Sequence, residues 1–194
     1  GLTKMFGGTP YELVRKGEWT VDTVFEAACQ IYKDENTDNV IDYKDTTGWG
    51  GQLDDMWSIF YASGERIAKA DADGYPMISM YNERSAKLIE KLQEFVQDDD
   101  HYISANDYFG VDGITWPTEA FIEPAFKEGR LLFFNANVGT AINLGNMEQH
   151  FGIVPVPKAD STQESYYSLV NPWTSTCFAI PLCVRGDALT MAID

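Results

Sequence analysis

Cysteine is scarce in this sequence of 194 residues, which has only Cys29, Cys177 and Cys183. Their number is odd, and none belongs to a CxxC pair or to a Cys/His cluster along the chain. This count excludes a disulfide framework, and the spacing argues against a zinc site, whose ligands usually come in closely spaced pairs. Cys29 falls in an amphipathic helical pattern, and the other two flank an apolar run. The sequence therefore predicts three buried thiols that act as small hydrophobic side chains.

Basic residues are also few. The chain has 14 Lys and Arg against 30 Asp and Glu, which gives a net charge of -16. Such a surface repels phosphate groups, so nucleic acid and anionic lipid surfaces are poor candidates as partners. The sequence has no apolar run of membrane-spanning length and no opening signal peptide. Gly1 stands where an initiator methionine is expected, which predicts an excised piece of a longer protein.

Catalytic motifs are missing as well. The sequence has no phosphate-cradling glycine loop, no nucleophile elbow and no HExxH, and its two histidines, His101 and His150, look isolated and exposed. Glu119 and Glu123 share one helical face and could be compared with the paired carboxylates of a glycosidase. Acids at this spacing more often form a solvated face, so we expect no enzymatic activity.

Helical and strand patterns alternate along the chain, which predicts an α/β fold with a mixed sheet flanked by helices, formed by residues 1–194 as one lobe. Helical periodicity or capping residues predict helices at 21–32, 54–63, 82–97, 118–128 with a kink at Pro124, and 139–149. Apolar or glycine-bounded runs predict strands at 46–51, 130–134, 151–156 and 177–182, and a hairpin within 67–79. The segment 101–117 is polar and predicted to be irregular.

Oxygen-bearing side chains recur at alternate positions in residues 34–45, DENTDNVIDYKD. Positions 1, 3, 5, 9 and 12 of this window, together with the carbonyl at position 7, match the ligand spacing of an EF-hand-type calcium loop. The predicted ligands are Asp34, Asn36, Asp38, Val40, Asp42 and Asp45. Asn39 replaces the usual glycine and the last ligand is a short aspartate, so we predict one weak, structural calcium site. A solvated acidic turn is the alternative.

Several short segments carry a family resemblance. They are Pro10-Tyr11-Glu12-Leu13, Gly17-Glu18-Trp19-Thr20, Asp73-Gly74-Tyr75-Pro76, Glu128-Gly129-Arg130 before a strand, and the runs 151–157 and 173–181. In this order they resemble one lobe of the family 1 extracellular solute-binding proteins, the maltose-binding-protein-like receptors of ABC importers. The resemblance covers nearly the whole chain but about half of a full receptor, the part between the two hinge crossings.

The resemblance implies a type 2 periplasmic-binding-protein fold that closes on a carbohydrate or similar small solute. It also implies a monomer that presents the solute to an ABC permease, and a location outside the cell, as a surface lipoprotein or in the periplasm. Calcium agrees with that location, because millimolar calcium outside cells fills weak sites. This chain would supply one half of the ligand cleft.

In such folds the ligand lies beside loops that leave the carboxyl ends of strands. Sugar hydroxyls need amide and carboxylate groups, and the apolar face of a sugar needs flat aromatic surfaces. The predicted ligand-binding residues are Trp49, Gln52, Asp54, Asn135, Asn137 and Trp173. Trp19, Trp57 and Trp116 are predicted to be packing residues.

Other interpretations stay open. The tryptophans of the ligand set could be core residues, the asparagines could satisfy loop backbone, and Asp54 could be a helix N-cap. The whole chain could instead be a calcium-binding structural or carbohydrate-interaction domain of a larger secreted protein. A glycoside-active enzyme domain is the least favoured alternative.

Overall fold

The computed structural model describes residues 2–98 and 100–170. Its helices are α1 (Leu2–Phe6), α2 (Pro10–Lys16), α3 (Val21–Ala28), α4 (Asp55–Ala62), α5 (Glu83–Val96), α6 (Glu123–Lys127) and α7 (Thr140–Asn143). Its strands are β1 (Tyr32–Lys33), β2 (Thr46–Gly51), β3 (Ala68–Ala70), β4 (Pro76–Ile78), β5 (Tyr102–Ser104) and β6 (Leu131–Phe134). Within these described ranges, no helix has the length and apolar character that crossing a membrane requires.

Strand β2 is the centre of the main sheet. It pairs in parallel with β5 and with β6, and because Trp49 has both Tyr102 and Phe133 as register partners, the two neighbours lie on opposite edges. Strand β1 pairs antiparallel with the start of β2. Strands β3 and β4 form a separate antiparallel hairpin. The predicted α/β class with a mixed sheet and flanking helices is therefore confirmed.

Aromatic rings fill the core on one side of the sheet. Phe25 of α3 stacks on Phe95 of α5 at 3.7 Å between ring centroids, and the indole of Trp49 meets both rings edge-on. Gly48 allows this packing, because a Cβ there would lie only 2.2 Å from the carbonyl oxygen of Ala28. A second cluster, around Ile122 and Leu131, joins β6 to the helical stretch before it.

Side-chain caps fix where several helices begin. The Oγ1 of Thr20 accepts the Thr23 N–H at the start of α3, and Asn82 caps α5 by accepting the Ser85 N–H at 2.9 Å. Threonine and asparagine are both common N-cap residues. The predicted helix at 118–128 consists of a π-helical turn at Thr118–Ile122 followed by α6, and the change falls directly before Pro124. The predicted strand at 46–51 and the predicted hairpin are confirmed.

Three secondary-structure predictions need correction, and a fourth falls outside the described residues. Helix α3 ends at Ala28 rather than at residue 32, because Tyr32 joins the sheet as part of β1. Residues 151–156 are irregular rather than a strand, because Pro155 and Pro157 cannot donate hydrogen bonds to a strand ladder. Lys158, which follows this segment, forms an isolated bridge with Thr20. Helix α7 passes into a 3₁₀ turn that ends at Asn146, well short of residue 149. The predicted strand at 177–182 lies outside the described residues.

Candidate functional site

The parallel strands β2, β5 and β6 end at the same edge of the sheet. Gln52 directly follows β2, Asn106 lies in the 3₁₀ turn Ala105–Tyr108 after β5, and Asn135 directly follows β6. Asp55 begins helix α4, three residues beyond Gln52. We call the region of Gln52, Asp55, Asn106 and Asn135 the carboxyl edge. It is the place where open α/β sheets bind ligands.

Hydrogen bonds join the three strand ends into one unit. The Leu53 N–H donates to Asn106 Oδ1 at 2.8 Å and so links the loops after β2 and β5. The amide of Asn135 donates to Ser58 Oγ at 3.0 Å, which ties the end of β6 to helix α4. The hydroxyl of Tyr102 donates to the Gly51 carbonyl at 3.2 Å. The polar side chains of this edge are therefore held by the sheet and by α4 rather than by free loops.

Asp55 is the titratable group of the carboxyl edge. Its Oδ2 accepts the Gln52 N–H at 2.9 Å. A Cβ at position 51 would lie 2.6 Å from the same oxygen, so Gly51 lets the carboxylate hold this position. The pKa of Asp55 is raised from 3.8 to about 6, chiefly by burial and also by the charge of Asp54, against the opposing effects of the Gln52 N–H and the Asn135 side chain. Asp55 can therefore accept or donate a hydrogen bond near neutral pH.

The charge of Asp55 also acts on its neighbour Tyr102. Burial is the main cause that raises the pKa of the Tyr102 phenol, and the nearby Asp55 carboxylate is the next. The phenol consequently stays protonated and serves as a hydrogen-bond donor beneath the edge.

Exposed apolar side chains surround these polar groups. Leu53 and Trp57 lie one helical turn apart at the start of α4, and the Trp57 side chain is 42% exposed. Phe109 follows the 3₁₀ turn after β5, and Val138 follows the end of β6; both are exposed. Polar groups with apolar surface beside them are the combination that a carbohydrate site needs.

The structure places the predicted ligand-binding residues in different surroundings. Gln52 and Asn135 are half-buried at the carboxyl edge, as expected. Trp49 is only 5% exposed and packs among core rings, so it does not reach the edge, which corrects its expected role. Asn137 is exposed and closes its own turn by accepting the Thr140 N–H. Trp173 lies outside the described residues.

Asp54 and two tryptophans also differ from expectation. Asp54 stands at the N-cap position of α4, but within the described part of the chain its side chain makes no capping hydrogen bond; it is exposed. Trp57 and Trp116, predicted to pack, are both exposed, Trp116 by 71%. Trp19 is buried as predicted, and its Nε1 donates to the Pro155 carbonyl.

Sequence reasoning missed Asp55 and Asn106. The pair Asp54-Asp55 is visible in the sequence, but only the bond from the Gln52 N–H identifies Asp55 as the member that points inward. Asn106 lay in a segment predicted to be irregular, and β5 must be recognised before Asn106 can be placed at a strand end. Few local signals mark a three-residue strand.

The acidic loop at residues 34–45 has a tightly curled backbone. Both carboxylate oxygens of Asp34 accept backbone N–H groups, from Thr37 at 2.6 Å and from Asn39 at 3.0 Å. Asn39 has a φ of 57°, the left-handed conformation that the glycine of an EF-hand loop usually supplies, and Thr37 has a φ of 60°. The backbone therefore turns at the position where a calcium loop turns.

The expected calcium ligands are only partly gathered. Asp45 is 1% exposed, and its two oxygens accept the N–H groups of Glu35 and Asp42. Asn36 donates to Asp38, Asp42 pairs with Lys44, and the Val40 side chain is exposed. Among the residues described, no three acidic groups of this loop have oxygens within 4.8 Å of one another. Calcium binding would require the exposed side chains to move inward.

Two other surfaces carry charged groups. Glu123 of the carboxylate pair is only 13% exposed, contrary to the solvated face expected from the sequence, and it forms an ion pair with Lys127 at 2.8 Å and accepts a hydrogen bond from the Asn143 amide. A cavity of about 460 Å³ lies along α5, next to Ala159. Its cationic side chains have acidic partners: Arg84 faces Asp160, Lys87 faces Glu83 and Lys91 faces Asp22. Neither surface presents a free charged group comparable to Asp55.

Comparisons with known proteins add no relative. No family model, no curated protein and no solved structure matches this chain.

Proposed function

We propose that this chain is one lobe of a solute-binding protein and that it holds a carbohydrate, or a similar small solute, at the carboxyl edge. One observation carries the proposal: Gln52, Asp55, Asn106 and Asn135 meet at the ends of three parallel strands. A second lobe, outside this sequence, would supply the other half of the cleft.

The chemistry of the edge suits a sugar. Each hydroxyl of a sugar both donates and accepts hydrogen bonds, and the side-chain amides of Gln52 and Asn135 offer both functions. Asp55 adds a strong acceptor above its pKa of about 6. The exposed indole of Trp57 offers a flat apolar surface on the adjacent helix turn. Together these groups match the two faces of a pyranose ring.

We also propose where the protein works and which partner it serves. A receptor of this kind works outside the cell, as a surface lipoprotein or in the periplasm, and hands its solute to an ABC permease. The acidic surface, with a net charge of -16, suits a protein that works without nucleic acid partners. Its role is to bind rather than to catalyse.

A screen for weak sugar binding tests the proposal. Saturation-transfer NMR with mono- and oligosaccharides detects millimolar affinities, which a half cleft should show. We expect Gln52→Ala and Asn135→Ala each to weaken binding by about five- to tenfold, which corresponds to the loss of about one hydrogen bond. Gln30→Ala, which removes an exposed amide that donates to the Glu26 carbonyl within the same helical turn, should leave binding unchanged.

Two outcomes would contradict the half-cleft model. No saturation transfer from any sugar would refute the carbohydrate assignment. Tight, submicromolar binding by this chain alone would instead indicate a self-sufficient carbohydrate-interaction domain of a larger secreted protein.

We further propose that the acidic loop binds calcium and connects β1 to β2. The ligands would be Asp34, Asn36, Asp38, the Val40 carbonyl, Asp42 and Asp45. The left-handed Asn39 and the two backbone bonds to Asp34 support this assignment, because they shape the loop before any ion arrives. The ion would neutralise the carboxylates and would be structural rather than regulatory.

Thermal unfolding in calcium and in EDTA tests the loop. At ten times its Kd, calcium stabilises the folded chain by about 1.4 kcal/mol, so millimolar calcium should raise Tm measurably if Kd lies at about 10⁻⁴ to 10⁻³ M. Asp34→Asn should abolish this rise. Asp71→Asn alters a different acidic turn, in which Asp71 also accepts backbone N–H groups, and should preserve it. An unchanged Tm of the parent chain at millimolar calcium would refute the site.

A further inference from the structure

Three potential metal ligands of different chemistry meet where three elements end. Cys29 directly follows α3, Asp98 lies two residues after α5, and His101 directly precedes β5. A sulfur, a carboxylate oxygen and a ring nitrogen from these residues all lie within 4.8 Å of one another, and among the described residues they are the one such group of three. The sequence did not suggest this cluster, because Cys29 and His101 are 72 positions apart.

The backbone holds two of these residues in place. The His101 carbonyl accepts the Trp49 N–H from β2 at 2.9 Å, and the His101 N–H donates to the Asp98 carbonyl at 3.1 Å. The Cys29 N–H bonds the Phe25 carbonyl and ends helix α3. The three side chains therefore start from the sheet and from a helix end, which limits how far they can separate.

The side chains themselves have unmet bonding capacity. His101 Nε2 lies 3.8 Å from Asp98 Oδ2, beyond hydrogen-bond distance. His101 Nδ1 is buried and has no hydrogen-bond partner in the part of the chain that the structure describes. Cys29 is a free and exposed thiol, contrary to the burial expected from the sequence. The imidazole is thus placed between two potential ligands without being satisfied by either.

From this geometry we propose a zinc site formed by Cys29, Asp98 and His101. Thiolate, imidazole and carboxylate are the ligand types that Zn²⁺ takes, whereas calcium avoids sulfur. Tetrahedral bonds of about 2.0–2.3 Å place ligand atoms about 3.3–3.8 Å apart, so a contraction of about 1.5 Å or less closes the site. The exposed position of Cys29 leaves the fourth coordination place to water.

Protons must leave the site when zinc binds. Burial and the negative charge of Asp98 raise the pKa of the Cys29 thiol, so the thiol is protonated in the absence of a cation. Zinc binds the thiolate, and one proton passes from sulfur to solvent for each ion bound.

Cobalt spectroscopy on the 194-residue chain tests the proposal. In a Cys177→Ser, Cys183→Ser background, Cys29 is the remaining thiol, so any sulfur-to-cobalt charge-transfer band reports on it. We expect one Co²⁺ per chain, a tetrahedral visible spectrum, and displacement by Zn²⁺ but not by excess Ca²⁺. Cys29→Ser should remove the charge-transfer band, and His101→Gln should weaken Zn²⁺ binding by more than about tenfold.

His150→Gln supplies the matched control, because it removes the other histidine of the chain and should leave the spectrum unchanged. Circular dichroism of each variant separates loss of the site from loss of the fold, and Asp98→Asn provides a third variant if His101→Gln unfolds. A charge-transfer band that persists in Cys29→Ser would overturn the proposal. So would Co²⁺ that binds only in octahedral form, or equal losses in His101→Gln and His150→Gln.

Discussion

Replacing Asp55 with asparagine should make the protein more stable at neutral pH, although it removes a side chain from the proposed ligand site. The pKa of Asp55 is raised by burial from 3.8 to about 6. Between these two values the unfolded chain is ionised at this residue while the folded chain keeps its proton. The stability that Asp55 contributes is therefore complete below about pH 4 and is lost as the pH rises through 6.

The size of this loss follows from the difference in pKa. A pKa difference of about two corresponds to about 3 kcal/mol at pH 7.5, an upper estimate for a half-buried carboxyl. Asparagine keeps an oxygen that can accept the Gln52 N–H, but it gives up the stronger bonds of a charged acceptor. We therefore expect Asp55→Asn to stabilise the folded state by about 1–2 kcal/mol at pH 7.5 and by little at pH 4.

Urea unfolding from pH 4 to pH 8 measures this difference. The advantage of Asp55→Asn over the parent chain should grow as the pH rises and level off above about pH 7. Asp73→Asn is the matched control: its side chain is exposed in the turn between β3 and β4 and does not act on the pKa of Asp55, so its curve should parallel that of the parent chain. If the two variants have the same pH dependence, or if Asp55→Asn is less stable than the parent at pH 7.5, the burial argument is wrong.

Two further substitutions test the packing that positions the site. Gly48→Ala should lower the free energy of unfolding in urea by about 3 kcal/mol or more, because the new Cβ would lie 2.2 Å from the Ala28 backbone. Gly145→Ala is its control: the Cβ there points into open space, so stability should change by less than about 0.5 kcal/mol. Gln163→Ala should cost about 2–3 kcal/mol, because this buried side chain bonds Ala159, Ala62 and Ser165, whereas the surface variant Gln30→Ala should cost little. Equal effects of either variant and its control would contradict the packing described.

Features that depend on neighbours in sequence could be predicted. The caps at Thr20 and Asn82 rest on a bond to a residue three positions away, and the hairpin of β3 and β4 rests on the turn around Gly74. The strand at β6 is an apolar run between a glycine and an asparagine. Each of these signals lies within one window of the sequence, so reading it needs no knowledge of the fold.

Features that depend on partners far along the chain could not be predicted. Trp49 is buried because α3 and α5 both pack on its side of β2, and a strand of threonines and glycines does not reveal which face is covered. Strand β5 is three residues long and is defined by its pairing with β2, more than 50 positions earlier. The positions of Asn106 and of the cluster of Cys29, Asp98 and His101 depend on that pairing. The sequence therefore did not predict them.

Residue-resolved NMR titration of the isotope-labelled chain with mono- and oligosaccharides tests the central claim most directly. Binding at the carboxyl edge should shift the backbone amide signals of Gln52 and Leu53 and the side-chain amide signals of Gln52, Asn106 and Asn135. The buried amide of Gln163 and the capping amide of Asn82 should not move. Shifts that cluster along α5, or an unchanged spectrum with every sugar, would contradict a solute site at the carboxyl edge.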